Sequence, residues 1–283
     1  MVGATRTRAL APATAIIDSH AHLDDEAFAP DRAAVLARAR AAGVGAIINV
    51  GYNAARWPTT TALCATNQYV YAVLGVHPHD AADWDDALAA RLTTALREPK
   101  VVGLGEIGLD FYRNYAPPER QRAAFRAQLA VALDLALPVV IHSRAAEDDV
   151  VTTLAESGVT HGVLHSFSGS LATAERALAL GLHLSLTGPV SYPKAEHQRD
   201  LARLIPLDQL LLETDCPYLA PQARRGKRNE PAFVRYTAEA IAVARGEPAE
   251  QVIAATTVNA IRLFGLPGEA GIVPDDPELE QTC

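Results

Sequence analysis

The chain has 283 residues, with 25 Lys and Arg against 33 Asp and Glu, for a formal net charge of −8. Its hydrophobic fraction of 49% and charged fraction of 20% are those of a chain with a packed core, which excludes a disordered or fibrous protein. The acidic balance excludes a generic basic coat for nucleic acid but leaves room for a local basic site.

Residues 1–14 carry Arg6 and Arg8, and the apolar stretch after them is short and broken by Pro12. An N-terminal extension is expected there rather than a secretory signal. No apolar run approaches the ~20 residues that cross a bilayer, so no membrane is expected. From Ala15 onward, strand-like runs at 15–18, 44–50, 70–75, 101–106, 139–142, 162–165, 182–186 and 209–213 alternate with segments of helical period, such as 32–42, 118–135 and 171–180. The runs are almost continuously apolar, as parallel strands buried on both faces must be. Gly43, Gly158 and Gly181 stand where helices should stop. This alternation predicts the α/β class and a (β/α)8 TIM barrel with extra C-terminal helices. It places a single domain over 15–266 and an acidic tail over 267–283. An open doubly wound sheet would want a Gly-rich phosphate loop after the first strand; Asp18-Ser19-His20-Ala21-His22 stands there instead. Cys64, Cys216 and Cys283 form no CxxC pair, which points to a reducing cytoplasm.

Ligand-type residues recur at the C-terminal ends of the strands, where barrel active sites are built. His20 and His22 end the first, Glu106 the fourth, His142 the fifth, His165 the sixth, and Asp215 follows the eighth. Residues i and i+2 of an extended segment share a face, so His20 and His22 can reach one ion. One HxH is weak evidence, but joint placement at equivalent strand ends favours a metal site. The set exceeds what one four-coordinate ion needs. A carboxylate shared by two ions resolves the excess, and Glu106 is the natural bridge. His20, His22 and Asp215 then complete one site, His142 and His165 the other. Mixed imidazole and carboxylate ligation suits Zn or Mn better than Mg, with the ion's identity left open.

The segments IIDSHAHLDD, VGYN, GVHPHDA, GEIGLDFYR, PVVIHSR, HSFSGS, LLETDCPYLAP and RGKRNEP resemble, in order, those of the TatD family of metal-dependent deoxyribonucleases. The resemblance runs from about Ile16 to Phe264. It implies a TIM barrel, two divalent ions and hydrolysis of DNA phosphodiesters, often as a 3′-to-5′ exonuclease on single strands. Residue by residue, it implies His20, His22, Glu106 and Asp215 at the first metal, and Glu106, His142 and His165 at the second.

Around these, His77 follows the third strand and is a candidate contact for a substrate phosphate, which the resemblance supports. His79 reads equally well as a surface-turn residue. Arg224, Arg225, Lys227 and Arg228 follow the eighth strand and are expected beside the metals, holding phosphates. Tyr112 and Arg113 follow the fourth; the tyrosine could stack on a terminal base and the arginine hold phosphate. Tyr192 and Tyr218 are weaker candidates. Cys216 lacks a dedicated base and reads as a packed thiol. Asp215 is assigned to orient the attacking water and accept its proton, with Glu106 as its catalytic companion. DNA, single-stranded or at 3′ ends, is the expected partner, with no obligate protein partner. The competing readings are an amidohydrolase acting on a cyclic amide, a hydrolase of aminoacyl-tRNA esters, and a non-enzymatic nucleic-acid-binding barrel. The amidohydrolase often bridges its metals with a carboxylated Lys, where Glu106 stands here.

Overall fold

Runs that are apolar on both faces are satisfied only in a sheet covered on both sides. In the computed structural model, which describes residues 15–268, those runs form a parallel sheet in strict chain order. Its strands are β1 (Ile16–Ala21), β2 (Val44–Gly51), β3 (Val70–Leu74), β4 (Val101–Asp110), β5 (Val139–Arg144), β6 (Gly162–Leu164), β7 (His183–Leu186) and β8 (Leu210–Leu212). The ring closes where Ala21 bridges Cys216, the Ser19 hydroxyl donates to the Leu212 carbonyl, and Asp18 accepts from the Thr214 amide. This is the expected (β/α)8 barrel. The expected extension over 1–14, and the tail beyond residue 268, lie outside the described residues.

Helices α1 (Arg32–Ala41), α2 (Trp57–Thr66), α3 (Asp86–Ala95), α4 (Pro118–Leu135), α5 (Glu147–Ser157), α6 (Leu171–Ala179) and α7 (Glu196–Leu204) cover the strands, and α8 (Val234–Arg245) and α9 (Ala249–Phe264) follow β8. Asp85 and Ser170 cap α3 and α6 by accepting from the amides of Leu88 and Thr173. Gly158 ends α5 in the left-handed region, while Gly43 and Gly181 follow the ends of α1 and α6 with φ of 84° and 87°. Among the described residues no helix is long and apolar enough to cross a membrane.

The strands divide their side chains between two cores. Ile16, Ile47, Leu74, Leu104, Ile141 and Leu212 pack outward against the helices. Ile17, Ile48, Val73, Val140, Val163 and Leu211 pack inward with Ala260, Leu263 and Phe264 of α9. The end of α9 therefore plugs the barrel from below, held by Asn259 donating to the carbonyls of Leu207 and Leu210. The lower barrel is solid, and the open space lies at the upper rim, where the strands end.

Two strand irregularities set what faces that space. On β4, Gly105 pairs with Val140 and Ile107 pairs with Ile141, which leaves Glu106 as an extra residue between them. On β1, Asp18 pairs with Ile47 and Ala21 with Asn49, so Ser19 and His20 stand against Ile48 alone. β4 also runs past its expected end at 106 to Asp110, because Gly108 lets it stay against β5. Gly108 has φ +139°, and a Cβ there would lie 2.0 Å from the His142 carbonyl oxygen. Gly108→Ala should thus push β4 from β5 at the height of the site. The expected cost is ~2 kcal/mol or more, a Tm loss of roughly 4–8 °C in a chain this size. A thermal melt of the variant checks this, and a Tm within 1 °C of the parent (about experimental error) would refute the tight β4–β5 approach.

Candidate metal centre

The irregularities on β1 and β4 bring His20, His22 and Glu106 into the barrel mouth, while unbroken alternation brings His142 and His165, two residues beyond the inward Val140 and Val163. Asp215, with φ +53°, follows β8, and its amide donates to the His20 carbonyl. The six side chains converge. Glu106 Oε1 lies 2.8 Å from His142 Nδ1 and 2.9 Å from His165 Nε2, and its Oε2 lies 3.5 Å from His20 Nε2. His22 Nε2 is 3.3 Å from both His20 Nε2 and Asp215 Oδ1. One oxygen of Glu106 thus faces the β5 and β6 histidines and the other faces His20 of β1, which in turn meets His22.

Such a set is what divalent cations bind. Two imidazole nitrogens facing each other at 3.3 Å require a proton or a cation between them. The remote Nδ1 atoms of His20 and His22 are buried without a hydrogen-bond partner among the described residues, so no acceptor there orients either ring. Among the described residues three ligand groups emerge, His20–His22–Asp215, His20–Glu106–His165 and His77–Glu106–His142, with atoms within 4.8 Å of one another in each. The donor set fits metal binding.

Charge is concentrated here. Burial opposes ionisation of Glu106, but the charges of His165 and His77 and hydrogen bonds from His142 and His165 prevail and hold its carboxyl well below the usual range. His165 is likewise pushed well above its ordinary value, burial being outweighed by Glu106 and then Glu213. Asp215 is held low by His22 and His20 in spite of burial. His77 goes the other way: burial lowers it to about 4, against the pull of Glu106. Its Nδ1 accepts from the His79 amide, which puts the ring hydrogen on Nε2, 3.5 Å from Glu106 Oε1 in the wall of the cleft.

A second layer of groups was not singled out by sequence reasoning. Asp110 Oδ2 lies 2.9 Å from His79 Nε2 and 3.2 Å from His142 Nε2. Glu213, fully buried, accepts from the Ser166 amide and the Ser185 hydroxyl, and faces His165 Nδ1 at 3.4 Å. Asp18, whose carboxyl burial raises to about 8 against hydrogen bonds from Thr214, pins the β8 end to β1. Glu213 stands two residues beyond the inward Leu211 and Asp110 four beyond the inward Glu106, a signal available once the faces are known.

The cleft over this centre has a volume of about 650 Å³ and is lined by His22, His77, Glu106, His142, His165 and Asp215, with Tyr52, His79, Arg113, Tyr115, Arg144 and Tyr218 on its walls. Arg113 is therefore where it was expected. Tyr112 is exposed but does not line the cleft; the Arg144 guanidinium stacks 4.1 Å above its ring, and Tyr115 takes the wall position. The basic run departs further from expectation. Arg228 is tied to Asp31 by contacts of 2.8 and 2.9 Å, and Arg224 donates to the Tyr236 hydroxyl. None of Arg224, Arg225, Lys227 and Arg228 lines the metal cleft, because Asn229, donating to the carbonyls of Thr214 and Tyr218, folds that loop back over the β8 end. His79 is no plain surface turn residue, being bonded to Asp110 in the cleft wall.

Comparison with known proteins gives a consistent picture. A family model described as "TatD related DNase" matches residues 17–265. The chain is 39% identical over 251 residues to an uncharacterized metal-dependent hydrolase, YabD, of Bacillus subtilis, covering 88% of this chain and 98% of the relative. It is 39% identical over 259 residues to the 3′-5′ ssDNA/RNA exonuclease TatD of Erwinia amylovora, covering 89% and 100%. Among solved structures, YjjV, a TatD homolog from Escherichia coli K12, superposes with a TM-score of 0.85 at 37% identity, covering 89% of this chain and 98% of that one. The phosphotriesterase homology protein of E. coli, at 16% identity and a TM-score of 0.62, shares the fold. With the model spanning nearly the whole barrel and relatives matched along their full length, the chain belongs to the TatD-related DNase family.

Proposed function

We propose that this protein is a metal-dependent nuclease that hydrolyses DNA phosphodiester bonds, acting on single strands from the 3′ end, with two divalent ions bridged by Glu106. The observation that carries the reading is the division of the Glu106 oxygens between two nitrogen clusters, 2.8–2.9 Å from one and 3.5 Å from the other. The relatives named as 3′-5′ ssDNA/RNA exonucleases support the substrate class and leave RNA as a second polymer to test. A cyclic-amide hydrolase is less well supported: a glutamate holds the bridging position, and the cleft walls carry Arg113 and Arg144, cations suited to phosphate.

Bound divalent cations would supply Lewis acidity and neutralise charge at the scissile phosphate. His20, His22 and Asp215 would hold one and His142 and His165 the other, with Glu106 shared. The Asp215 carboxylate, kept ionised by His22, orients the attacking water and accepts its proton. His77, neutral at physiological pH, donates its Nε2–H to a phosphate oxygen, and Arg113 and Arg144 contact phosphate at the cleft wall. The exposed rings of Tyr115 and Tyr218 offer faces for the terminal base.

A time course on 3′- and 5′-labelled single- and double-stranded DNA and RNA, with Mg, Mn and Zn in turn, tests the reading. Progressive shortening from the 3′ end is expected; internal fragments at early times would contradict the exonuclease, and no cleavage under any metal would remove the nuclease. Glu106→Ala should lose both ions together and His142→Ala chiefly one, measured as metal content per purified molecule; both ions retained in Glu106→Ala would overturn the bridge. Asp215→Asn should lower turnover ~10²–10⁴-fold while single-strand affinity changes little. Single-turnover cleavage at near-normal rate would remove Asp215 from the proton transfer.

A further inference from the structure

Beside the metal cleft lies a second concavity, of about 590 Å³, lined by Tyr192, Pro193, Lys194, Ala195, Gln222 and Arg225. The loops after β7 and β8 contribute to both. Pro189 and Leu219 face the cleft, whereas Tyr192 and Gln222, three residues further along each loop, face the groove. The loops after β7 and β8 are locked to each other there: the Gln222 amide donates to the Ser191 hydroxyl, the Tyr192 hydroxyl donates to the Ala220 carbonyl, and a Cβ on Gly188 would stand 2.2 Å from the Leu219 carbonyl oxygen. The groove is thus a rigid continuation of the cleft rim.

Its chemistry is one-sided. Among the described residues no carboxylate lines it, and the nearest one in sequence, Glu196, is held by Arg199 at 2.6 Å. Lys194 and Arg225 are both exposed, and among the described residues neither pairs with a carboxylate, in contrast to Arg228, which Asp31 neutralises. In a chain of net charge −8, two unpaired cations facing one groove mark a site for an anion. The Arg225 guanidinium lies 4.6 Å over the Tyr192 ring, so cation and aromatic form one flat element beside Lys194. Unpaired cations with an aromatic plane are the parts that hold a nucleic-acid strand by backbone charge and base stacking.

We propose that this groove binds the nucleotides on the 5′ side of the scissile bond of single-stranded substrate, with Lys194 and Arg225 on successive phosphates and Tyr192 and Arg225 beside a base. The inference rests on the nuclease reading of the metal cleft and adds to it a track outside that cleft. The part of the basic run that reaches substrate is therefore Arg225, and it acts at a distance from the reacting phosphate. Contacts made only by longer substrates raise kcat/KM with length until the groove is filled.

The test measures kcat/KM on oligodeoxynucleotides from two to twelve residues, for the parent and for Lys194→Glu/Arg225→Glu, both positions being exposed and outside the cores. The parent should favour the twelve-mer over the dinucleotide, and the variant should reduce that ratio at least tenfold. Anisotropy of a labelled twelve-mer with a phosphorothioate 3′ end gives affinity independently of turnover. Its log–log salt slope should shrink by roughly 1.4 in the variant, for two phosphates at ~0.7 each. A ratio and slope equal to the parent's, with cleavage intact, would overturn the groove and leave the nuclease standing. Absence of any cleavage by the parent, with variant-sensitive binding, would instead overturn the nuclease reading and support the groove as a nucleic-acid site.

Discussion

Glu106 is a carboxylate only 4% exposed, and a charge so buried persists only when it is surrounded by compensating groups. Four imidazoles supply them, His20, His77, His142 and His165, each within 3.5 Å of one of its oxygens. Most of the upper barrel can be understood as the means of keeping that arrangement. The β4 irregularity turns Glu106 inward, Gly108 lets β4 stay close to β5, and Asp110 and Glu213 hold the histidines from behind. Losing a single imidazole leaves the carboxylate partly unpaired on that side, whereas losing the carboxylate removes the group common to all of them.

Rigidity comes from below. Side chains from the strands and from the end of α9 fill the barrel as one apolar plug, so the rim rests on close-packed material. Closure of the ring passes through Asp18 and Thr214, directly beneath His20 and Asp215. The same contacts that complete the sheet set the spacing of ligands from the first and last strands, which lie 193 residues apart at Ser19 and Leu212. Closing the ring thus also brings together the ligands drawn from its first and last strands.

The loops divide the labour of handling a charged polymer in an acidic protein. Among the described residues, cations that face the cleft or its neighbouring groove, namely Arg113, Arg144, Lys194 and Arg225, have no carboxylate partner, whereas Arg38, Arg56 and Arg228 are spent on Glu230, Asp24, Asp25 and Asp31 to fasten loops to helices. Position in a basic run says nothing about which group a residue joins. Arg225 and Arg228 are three residues apart and end up on opposite sides of that division.

The sequence by itself determined the strand–helix alternation, the barrel, and the identity of the ligand-type residues at the strand ends, because burial on both faces and helical period are local patterns that survive without coordinates. Within the barrel, His142 and His165 need no irregularity, since they continue the inward alternation of Val140 and Val163. Tertiary structure decided the rest. Strict alternation from Ile17 and Leu104 would have turned His20, His22 and Glu106 toward the helices; the extra residues in β1 and β4 reverse them, and those extra residues exist only relative to the register of the neighbouring strand. The fate of the basic run was equally beyond reach, because Asn229, Asp31 and Tyr236 meet it only after the chain has closed. Residue type and period are written along the chain, but a side chain's direction and its partner are properties of two segments at once.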